Sequence, residues 1–227
     1  MKKVILISGG SDGLGKAAAQ KFNEKYQVVI LSSNPEKTET AAKEIGCDFV
    51  VADVTDYSQI EKAVEEVKGR YGRIDHLINN AGIWIEGKLE ENEASDISKV
   101  LDVNTKGTIY LSKAVVPLMK EQGVGRIVNV ISQAGLHVKG ERSVYHASKW
   151  AITGFTDSLR MELAPFNISV CGYFPGAMKT DFFAKVGITK ELHKHMELEE
   201  AVRALEFIIE TPDSIIVPQL GIRPLNG

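Results

Sequence analysis

The chain has 227 residues, a formal net charge of −3 and 25% charged residues. Acidic and basic side chains are interspersed and form no basic stripe, so the composition argues against a nucleic-acid partner. No apolar segment approaches the ~18–20 residues of a membrane span. Gly9 and Gly10 end the first apolar segment too early for a secretory leader, and we therefore expect a cytoplasmic protein without a membrane partner.

Short segments rich in Val and Ile alternate along the chain with longer segments of helical periodicity. The predicted strands cover 3–8, 27–32, 47–52, 74–79, 125–132, 167–174 and 214–219, and the predicted helices include 13–25, 36–45, 57–71, 105–121 and 143–165. Strands that are apolar over nearly their whole length favour a parallel sheet with helices on both faces. The pattern predicts one α/β domain over 1–227, a doubly wound, Rossmann-like three-layer sandwich with a mainly parallel sheet.

The two cysteines carry no signal of a redox or metal site. Cys47 and Cys171 lie in apolar, strand-like segments without C-x-x-C spacing and without neighbouring histidine clusters. We interpret them as buried free thiols of a reducing compartment, and we expect no metal.

A glycine-rich turn follows the first predicted strand. In "GGSDGLGKAAAQ", Gly9, Gly13 and Gly15 lie where that strand must turn into the first helix. Glycines permit a tight turn and close approach of a phosphate to the backbone, and the N-terminus of the next helix attracts negative charge. The context predicts a dinucleotide site, although glycine-rich turns without a ligand also occur.

A tyrosine and a lysine lie one turn apart in the predicted helix 143–165. In "SVYHASKW", Tyr145 and Lys149 stand at i and i+4, which puts their Cβ atoms about 5–6 Å apart on one helix face. An isolated pair of this kind is usually half of a solvated face. It indicates a catalytic site only together with other motifs.

Four further motifs accompany this pair. They are "NNAG" at 79–82, "DVNTKG" with Asn104, "VNVISQAG" with Ser132, and "PGAMKT" at 175–180. Ser132 precedes Tyr145 by 13 residues. With these motifs in this order, the chain resembles the short-chain dehydrogenase/reductase family from Val4 to about Thr180.

The resemblance implies an NAD(P)-dependent oxidoreductase that interconverts an alcohol and its carbonyl, a small ketone, aldehyde or hydroxy acid. Tyr145 would protonate the carbonyl oxygen, and Lys149 would lower the pKa of that phenol and hydrogen-bond the nicotinamide ribose. Ser132 would donate a hydrogen bond to the substrate oxygen as charge develops there. Asn104 would help to hold a water chain that links Lys149 to solvent.

The resemblance also implies which residues bind the cofactor. Asp53 matches the family aspartate that binds the adenine, and Thr180 and the backbone near Met178 would hold the carboxamide. Ser8 stands where the family commonly has threonine. The full implied set is Gly9, Ser11, Asp12, Gly13, Leu14, Gly15, Ser32, Ser33, Asn34, Asp53, Val54, Asn80, Ala81, Gly82, Tyr145, Lys149, Pro175, Gly176, Met178 and Thr180.

The end of the second predicted strand indicates which cofactor to expect. An acidic residue there would bind the ribose hydroxyls of NAD and repel the 2′-phosphate of NADP. Ser32 takes that position, Ser33 and Asn34 follow, and Lys37 could add positive charge. NADP(H) is therefore favoured, and NAD(H) is possible because the carboxylate of Asp12 lies in the neighbouring loop.

The segment that follows "PGAMKT" is the predicted substrate loop, at about 181–200. Its candidate contacts are Phe182, Phe183, Val186 and Met196, which are apolar, and His193 and His195, which are polar. The alternative is that these side chains only pack the loop or face solvent.

Self-association is the other partner prediction. Family members usually pair through the helices that correspond to 105–121 and 143–165, and the second of these offers Trp150, Phe155 and Leu159. We expect a homodimer or homotetramer. The alternatives to a dehydrogenase are a sugar-nucleotide epimerase, a methyltransferase, or a dinucleotide-binding sensor or scaffold without catalysis.

Overall fold

Seven parallel strands form one central sheet in the computed structural model, which describes residues 2–180, 182 and 195–225. In chain order they are β1 (Val4–Ser8), β2 (Gln27–Ser32), β3 (Asp48–Val51), β4 (His76–Asn79), β5 (Gly125–Val130), β6 (Ile168–Pro175) and β7 (Gln219–Ile222). The spatial order is β3-β2-β1-β4-β5-β6-β7, and every neighbouring pair is parallel. The winding reverses between β1 and β4, where open α/β sheets bind ligands.

Helices cover both faces of this sheet. They are α1 (Gly13–Phe22), α2 (Pro35–Ile45), α3 (Tyr57–Tyr71), α4 (Ala94–Leu101), α5 (Thr108–Gln122), α6 (Ser143–Leu163) and α7 (Leu198–Glu210). Local signals set their ends. Asp56 caps α3 by accepting hydrogen bonds from the N–H groups of Ser58 and Gln59, and Gly72 ends it at a φ of 72°.

Two apolar layers, one on each sheet face, hold the helices in place. On one face, α3, α5 and α6 pack against the sheet through side chains such as Ile60, Leu111 and Leu163. On the other face, α1, α2 and α7 pack through side chains such as Phe22 and Leu205. Because alternate strand residues point to opposite faces, each strand contributes to both layers. The predicted doubly wound α/β class is confirmed, with a sheet that is parallel throughout.

Two element predictions were wrong in position. The strand predicted at 214–219 is displaced to β7, and Ile215 and Ile216 are exposed. Pro218 lacks an N–H for a ladder, and its carbonyl instead accepts from the backbone N–H of Gly172. The helix predicted at 105–121 begins as α5 only at Thr108, because residues 102–107 form a π-helical segment.

The cysteines differ in burial. Cys171 is buried, whereas Cys47 is only partly buried, so the prediction of two buried thiols was wrong for Cys47. Both are free thiols. Burial raises the pKa of Cys171 to about 12 and that of Cys47 to about 11, so both stay protonated near neutral pH.

The described residues contain neither a metal-binding cluster nor a membrane-spanning helix. No group of three or more His, Cys, Asp or Glu side chains in that part of the chain is placed to hold a metal ion. Nor does any helix there combine the length and the apolar character needed to cross a bilayer.

Candidate active site

A cleft of about 1120 Å³ runs along the carboxyl ends of the strands. Nearly all predicted cofactor residues line it, from the glycine turn after β1 to Thr180 beyond β6. Gly15 is the exception among them, and of the predicted catalytic residues Asn104 does not line the cleft. Ser132, Tyr145 and Lys149 line one end of the cleft. Residues predicted from seven separate stretches of sequence therefore share one concave site, as expected of a dinucleotide enzyme.

The glycine turn is shaped for close backbone approach. Gly9 and Gly13 have φ values of 63° and 49°, in the left-handed region that favours glycine. A Cβ added at Gly15 would lie 2.3 Å from the carbonyl oxygen of Gly9 and 2.5 Å from Nδ2 of Asn80. The first turn of α1 thus packs directly on the β1 turn. The turn fits a pyrophosphate.

Hydrogen bonds from the β4 end hold this turn. The Ser8 hydroxyl accepts from the backbone N–H groups of Asn80 (3.0 Å) and Ala81 (3.1 Å). The Asn80 amide donates to the carbonyl oxygens of Ser8 (3.1 Å) and Gly9 (3.2 Å). The Ser8 hydroxyl therefore joins the end of β1 to the "NNAG" motif, and the Asn80 amide holds the glycine turn.

Charges at the outer end of the cleft are paired. Asp12 caps α1 by accepting from the N–H of Gly13 at 2.7 Å, and its other oxygen accepts from Nζ of Lys37 at 2.6 Å. Asn34 caps α2 by accepting from the N–H of Lys37 at 2.9 Å. The Lys37 side chain thus folds back towards the cleft and offsets the carboxylate of Asp12. Ser32, Ser33 and Asn34 line the cleft beside this pair.

Tyr145 and Lys149 extend from α6 into the other end of the cleft. They are 4% and 6% exposed, and Nζ of Lys149 lies 5.7 Å from the centre of the Tyr145 ring. Nζ also donates to the carbonyl oxygen of Val130 at 3.3 Å. The sequence spacing therefore brings a phenol and an amine together at the cleft, and both side chains are largely buried.

Ser132 reaches the same point from the end of β5. Its hydroxyl accepts from the N–H of Ala134 at 3.1 Å and also hydrogen-bonds Tyr145. Ser132 has a φ of 143°, a backbone conformation that is costly for a residue with a side chain. Strain of this kind is common where a side chain must be held at a functional position. The three predicted residues Ser132, Tyr145 and Lys149 are brought together.

Burial controls the protonation of this group. Desolvation raises the pKa of Tyr145 to about 12, against the lowering caused by the Ser132 hydrogen bond and the charge of Arg142. Desolvation also lowers the pKa of Lys149 to about 8. Loss of solvent therefore outweighs the two effects that lower the Tyr145 pKa, and the lowering expected from Lys149 stays a prediction.

Asn104 lies in the π-helical segment and supports the site through hydrogen bonds to two neighbouring segments. Its Oδ1 accepts from the N–H of Ile83 at 2.8 Å, and its amide donates to the carbonyl oxygen of Ile83 and to Oγ of Ser148. Oδ1 of Asn104 and Nζ of Lys149 both lie next to Gly82. Asn104 therefore links Ile83, directly after the "NNAG" motif, to Ser148 of α6. Its role in holding a water chain stays a prediction.

A family model described as short chain dehydrogenase matches residues 3–191. The chain belongs to the short-chain dehydrogenase family. It is 35% identical over 219 residues to carbonyl reductase family member 4 of Xenopus laevis, with 93% of each chain covered. This dehydrogenase is therefore an oxidoreductase that acts on CH–OH and C=O groups with a nicotinamide cofactor, which favours the enzyme over the methyltransferase and scaffold alternatives.

Two solved structures of similar fold were crystallised with a cofactor. The dehydrogenase resembles an actinorhodin polyketide ketoreductase variant with NADPH at a TM-score of 0.91 and 27% identity, covering 98% of this chain and 96% of that one. It resembles ElxO with NADP bound at a TM-score of 0.88 and 29% identity, covering 98% and 97%. The predicted family is confirmed.

The predicted substrate loop is described only in part. Phe182 and His195 line the cleft. Met196 does not, because it is buried and pairs its backbone with Ala177 and Lys179. Phe183, Val186 and His193 lie outside the described residues.

Sequence reasoning missed the side chains that form the wall beside Tyr145. Trp84, Gln133 and Arg142 all line the cleft at this end. Trp84 stands two residues beyond "NNAG", so its position relative to that motif was the available signal. Arg142 stands three residues before Tyr145, but its pairing with Glu86 is a contact between distant loops that the sequence does not indicate.

The packing of Gly15 gives a direct test of the cofactor site in this dehydrogenase. We expect Gly15→Ala to weaken NADPH binding at least ~10-fold, because the new methyl group meets backbone on one side and Asn80 on the other. Quenching of protein fluorescence on NADPH addition measures this. The matched control is Gly69→Ala in α3, where an added Cβ meets nothing within 4 Å; it should leave binding unchanged and stabilise the helix.

Proposed function

We propose that the dehydrogenase reduces a carbonyl compound to its alcohol, or runs the reverse reaction, with Ser132, Tyr145 and Lys149 as the catalytic set. The observation that carries the proposal is the convergence of these three side chains, from β5 and α6, at one end of a cleft lined by the predicted dinucleotide residues. The bound cofactor supplies the hydride for reduction or accepts it in oxidation. The chain supplies binding, orientation and the proton.

The proton moves through Tyr145. A carbonyl oxygen held at the Tyr145 and Ser132 hydroxyls receives the phenolic proton as negative charge develops on it. The Ser132 hydroxyl, fixed by its strained backbone, donates a second hydrogen bond and stabilises that charge. Lys149, at 5.7 Å from the phenol ring, stabilises the phenolate left behind, and it would also hydrogen-bond the cofactor ribose.

The substrate belongs to the small ketones, aldehydes or hydroxy acids. Trp84 and Phe182 line the cleft beside Tyr145, with ring centres 6.3 Å apart, and they narrow the space next to the phenol. A panel of ketones, aldehydes and keto acids, followed at 340 nm with NADPH and with NADH, tests the proposed function. Failure of every carbonyl on such a panel, with cofactor binding intact, would count against it.

NADP(H) is the preferred cofactor of this proposal. No carboxylate stands at the end of β2, and Asp12 is neutralised by Lys37. The relatives with NADP and NADPH named above support the same choice. We expect kcat/KM with NADPH to exceed that with NADH at least ~10-fold, equivalent to about 1.4 kcal/mol.

Substitutions of Lys37 and Asp12 measure how much each side chain contributes to the preference for NADPH over NADH. Lys37→Ala should reduce the NADPH preference and leave kcat/KM with NADH nearly unchanged. Asp12→Asn keeps a side-chain acceptor for the α1 cap and should raise the preference. A higher kcat/KM with NADH in the unmodified enzyme would mean that Asp12 outweighs the serines and Lys37.

Self-association remains part of the proposal. Trp150 is 47% exposed and Met161 is 76% exposed on the outer face of α6. Leu159 belongs to the core and Phe155 packs against it, so these two residues do not form the expected contact surface. We expect light scattering to give a mass of at least twice 24.9 kDa, and Trp150→Glu to lower it. A monomer at micromolar concentration would contradict this prediction.

A further inference from the structure

An arginine lies beside the proposed acid at a place where helix electrostatics disfavour it. Arg142 is the N-cap residue of α6, three residues before Tyr145. A helix N-terminus carries partial positive charge, so a cation there is unfavourable. Residues that break a local preference often do so because a site requires them. An arginine at this helix N-terminus therefore suggests a role for its charge in the site.

Arg142 is fixed by an ion pair and by an aromatic ring. Its Nε and Nη2 donate to Oε1 of Glu86 at 2.7 and 2.5 Å, and its guanidinium carbon lies 5.2 Å from the centre of the Trp84 ring. The side chains of Arg142 and Glu86 are 20% and 18% exposed. A backbone bond from Gly87 N–H to Glu141 oxygen, at 2.8 Å, joins the same two segments. The cation is thus held in a largely desolvated place.

Trp84 connects this pair to the phenol. The ring centres of Trp84 and Tyr145 are 4.2 Å apart at 52°, and Trp84 is buried. Glu86, Arg142, Trp84 and Tyr145 therefore form one continuous stack at the substrate end of the cleft. In such a low-dielectric site a fixed charge acts strongly on its neighbours, and the charge of Arg142 favours the phenolate of Tyr145.

Other titratable groups also line the cleft. Lys149 lies on the same helix as Tyr145, 5.7 Å from its ring. The remaining charged or titratable side chains that line the cleft are Asp12, Lys37, Asp53, Lys99, His137, Lys139, His146, His195 and Arg223. His146 is bound at both ring nitrogens, to the Ala134 oxygen and to the Lys139 N–H, so its ring faces the loop. Among the cations that line the cleft, Arg142 is held both by the carboxylate of Glu86 and by the Trp84 ring that packs on Tyr145.

We propose that Arg142 is a positioning residue for the reaction, which packs Trp84 against Tyr145 and stabilises the Tyr145 phenolate, with Glu86 limiting how much of its charge the phenol experiences. The inference rests on the proposed role of Tyr145 as the acid. It predicts opposite effects for the two members of one ion pair. Removing the arginine charge must disfavour the phenolate, whereas removing the glutamate charge must favour it.

Titration of Tyr145 by NMR tests this without any substrate. Protein labelled with ¹³C at Cζ of tyrosine gives one resonance for each of the six tyrosines, and Tyr145→Phe assigns the relevant one. The resonance is followed against pH with and without NADP⁺ in the unmodified protein and in Arg142→Met, Arg142→Lys and Glu86→Gln. Far-ultraviolet circular dichroism at each pH, together with NADP⁺ binding, verifies that each variant stays folded over the range titrated.

The expected midpoints move in opposite directions. Arg142→Met should raise the Tyr145 midpoint by about half a pH unit or more, Glu86→Gln should lower it, and Arg142→Lys should stay close to the unmodified protein because it keeps the charge. Midpoints that are unchanged, or that move the same way in Arg142→Met and Glu86→Gln, would overturn the inference. Because the titration needs no turnover, its outcome is separate from failure of the carbonyl panel, which bears on the proposed function.

Discussion

Replacing Tyr145 by phenylalanine is expected to lower turnover by ~10²–10⁴-fold, the usual loss when a general acid is removed. The change deletes only the hydroxyl. The ring would keep its contact with Trp84 at 4.2 Å, so the wall of the cleft should remain. Lys149 would stay beside the ribose site, and NADPH affinity should remain near that of the unmodified enzyme. Steady-state kinetics and a cofactor titration measure the two quantities separately.

A phenol outside the cleft provides the control. Tyr57→Phe in α3 also removes one hydroxyl, and Tyr57 is not among the residues that line the cleft. It should leave kcat and KM unchanged. Full activity in Tyr145→Phe would end the proposed proton route, and a parallel loss in both variants would indicate a general effect on folding.

Replacing His76 by leucine is expected to reduce the fall in the free energy of unfolding at acid pH. His76 lies in β4, is 2% exposed and packs edge-on against Tyr26. Within the described part of the chain, neither of its ring nitrogens has a hydrogen-bond partner. Burial, with a smaller effect of the charges of Lys3 and Arg126, lowers its pKa from 6.5 to about 3.

The sign of the effect follows from proton binding. Below about pH 6.5 the unfolded chain takes up a proton at His76 that the folded protein does not accept, so the free energy of unfolding falls as the pH falls towards 3. At 1.36 kcal/mol per pKa unit, about two units between pH 6.5 and 4.5 correspond to roughly 2–3 kcal/mol. This loss should be absent from His76→Leu, apart from the contributions of other groups.

Denaturant unfolding at a series of pH values measures this difference. His137→Gln, at an exposed histidine, is the control and should follow the unmodified protein. At neutral pH, His76→Leu should be as stable as the unmodified protein or more so, because it removes buried polar atoms that lack partners. Curves for His76→Leu and the unmodified protein that run parallel from pH 7 to 4.5 would contradict the assignment.

The sequence predicted the elements whose causes are local. The strand and helix pattern, the glycine turn and the i, i+4 spacing of Tyr145 and Lys149 are all readable from neighbouring residues. The cleft shows why they belong together, since parallel strands bring their carboxyl ends to one edge of the sheet. Residues far apart in sequence, such as Gly9 and Ser132, therefore line the same site.

The features that sequence could not give depend on tertiary contacts. The Arg142 and Glu86 pair links two loops 56 residues apart, and no periodic pattern indicates it. The pKa of Tyr145 depends on how completely the phenol is buried, and burial outweighs the Ser132 hydrogen bond and the Arg142 charge that lower it. The strand predicted at 214–219 instead begins as β7 after Pro218. Proline cannot donate a ladder hydrogen bond, and this restriction outweighs the strand preference of its apolar neighbours.

Transfer of a label from the cofactor to the product tests the central claim most directly. The dehydrogenase is incubated with the best carbonyl of the panel and NADPH that carries deuterium at both C4 positions of the nicotinamide. We predict one deuterium on the carbinol carbon of the product alcohol, detected by mass spectrometry, and a yield at least ~100-fold lower for Tyr145→Phe. An alcohol without deuterium at that carbon, or equal labelled yield from Tyr145→Phe, would contradict hydride transfer with Tyr145 as the acid.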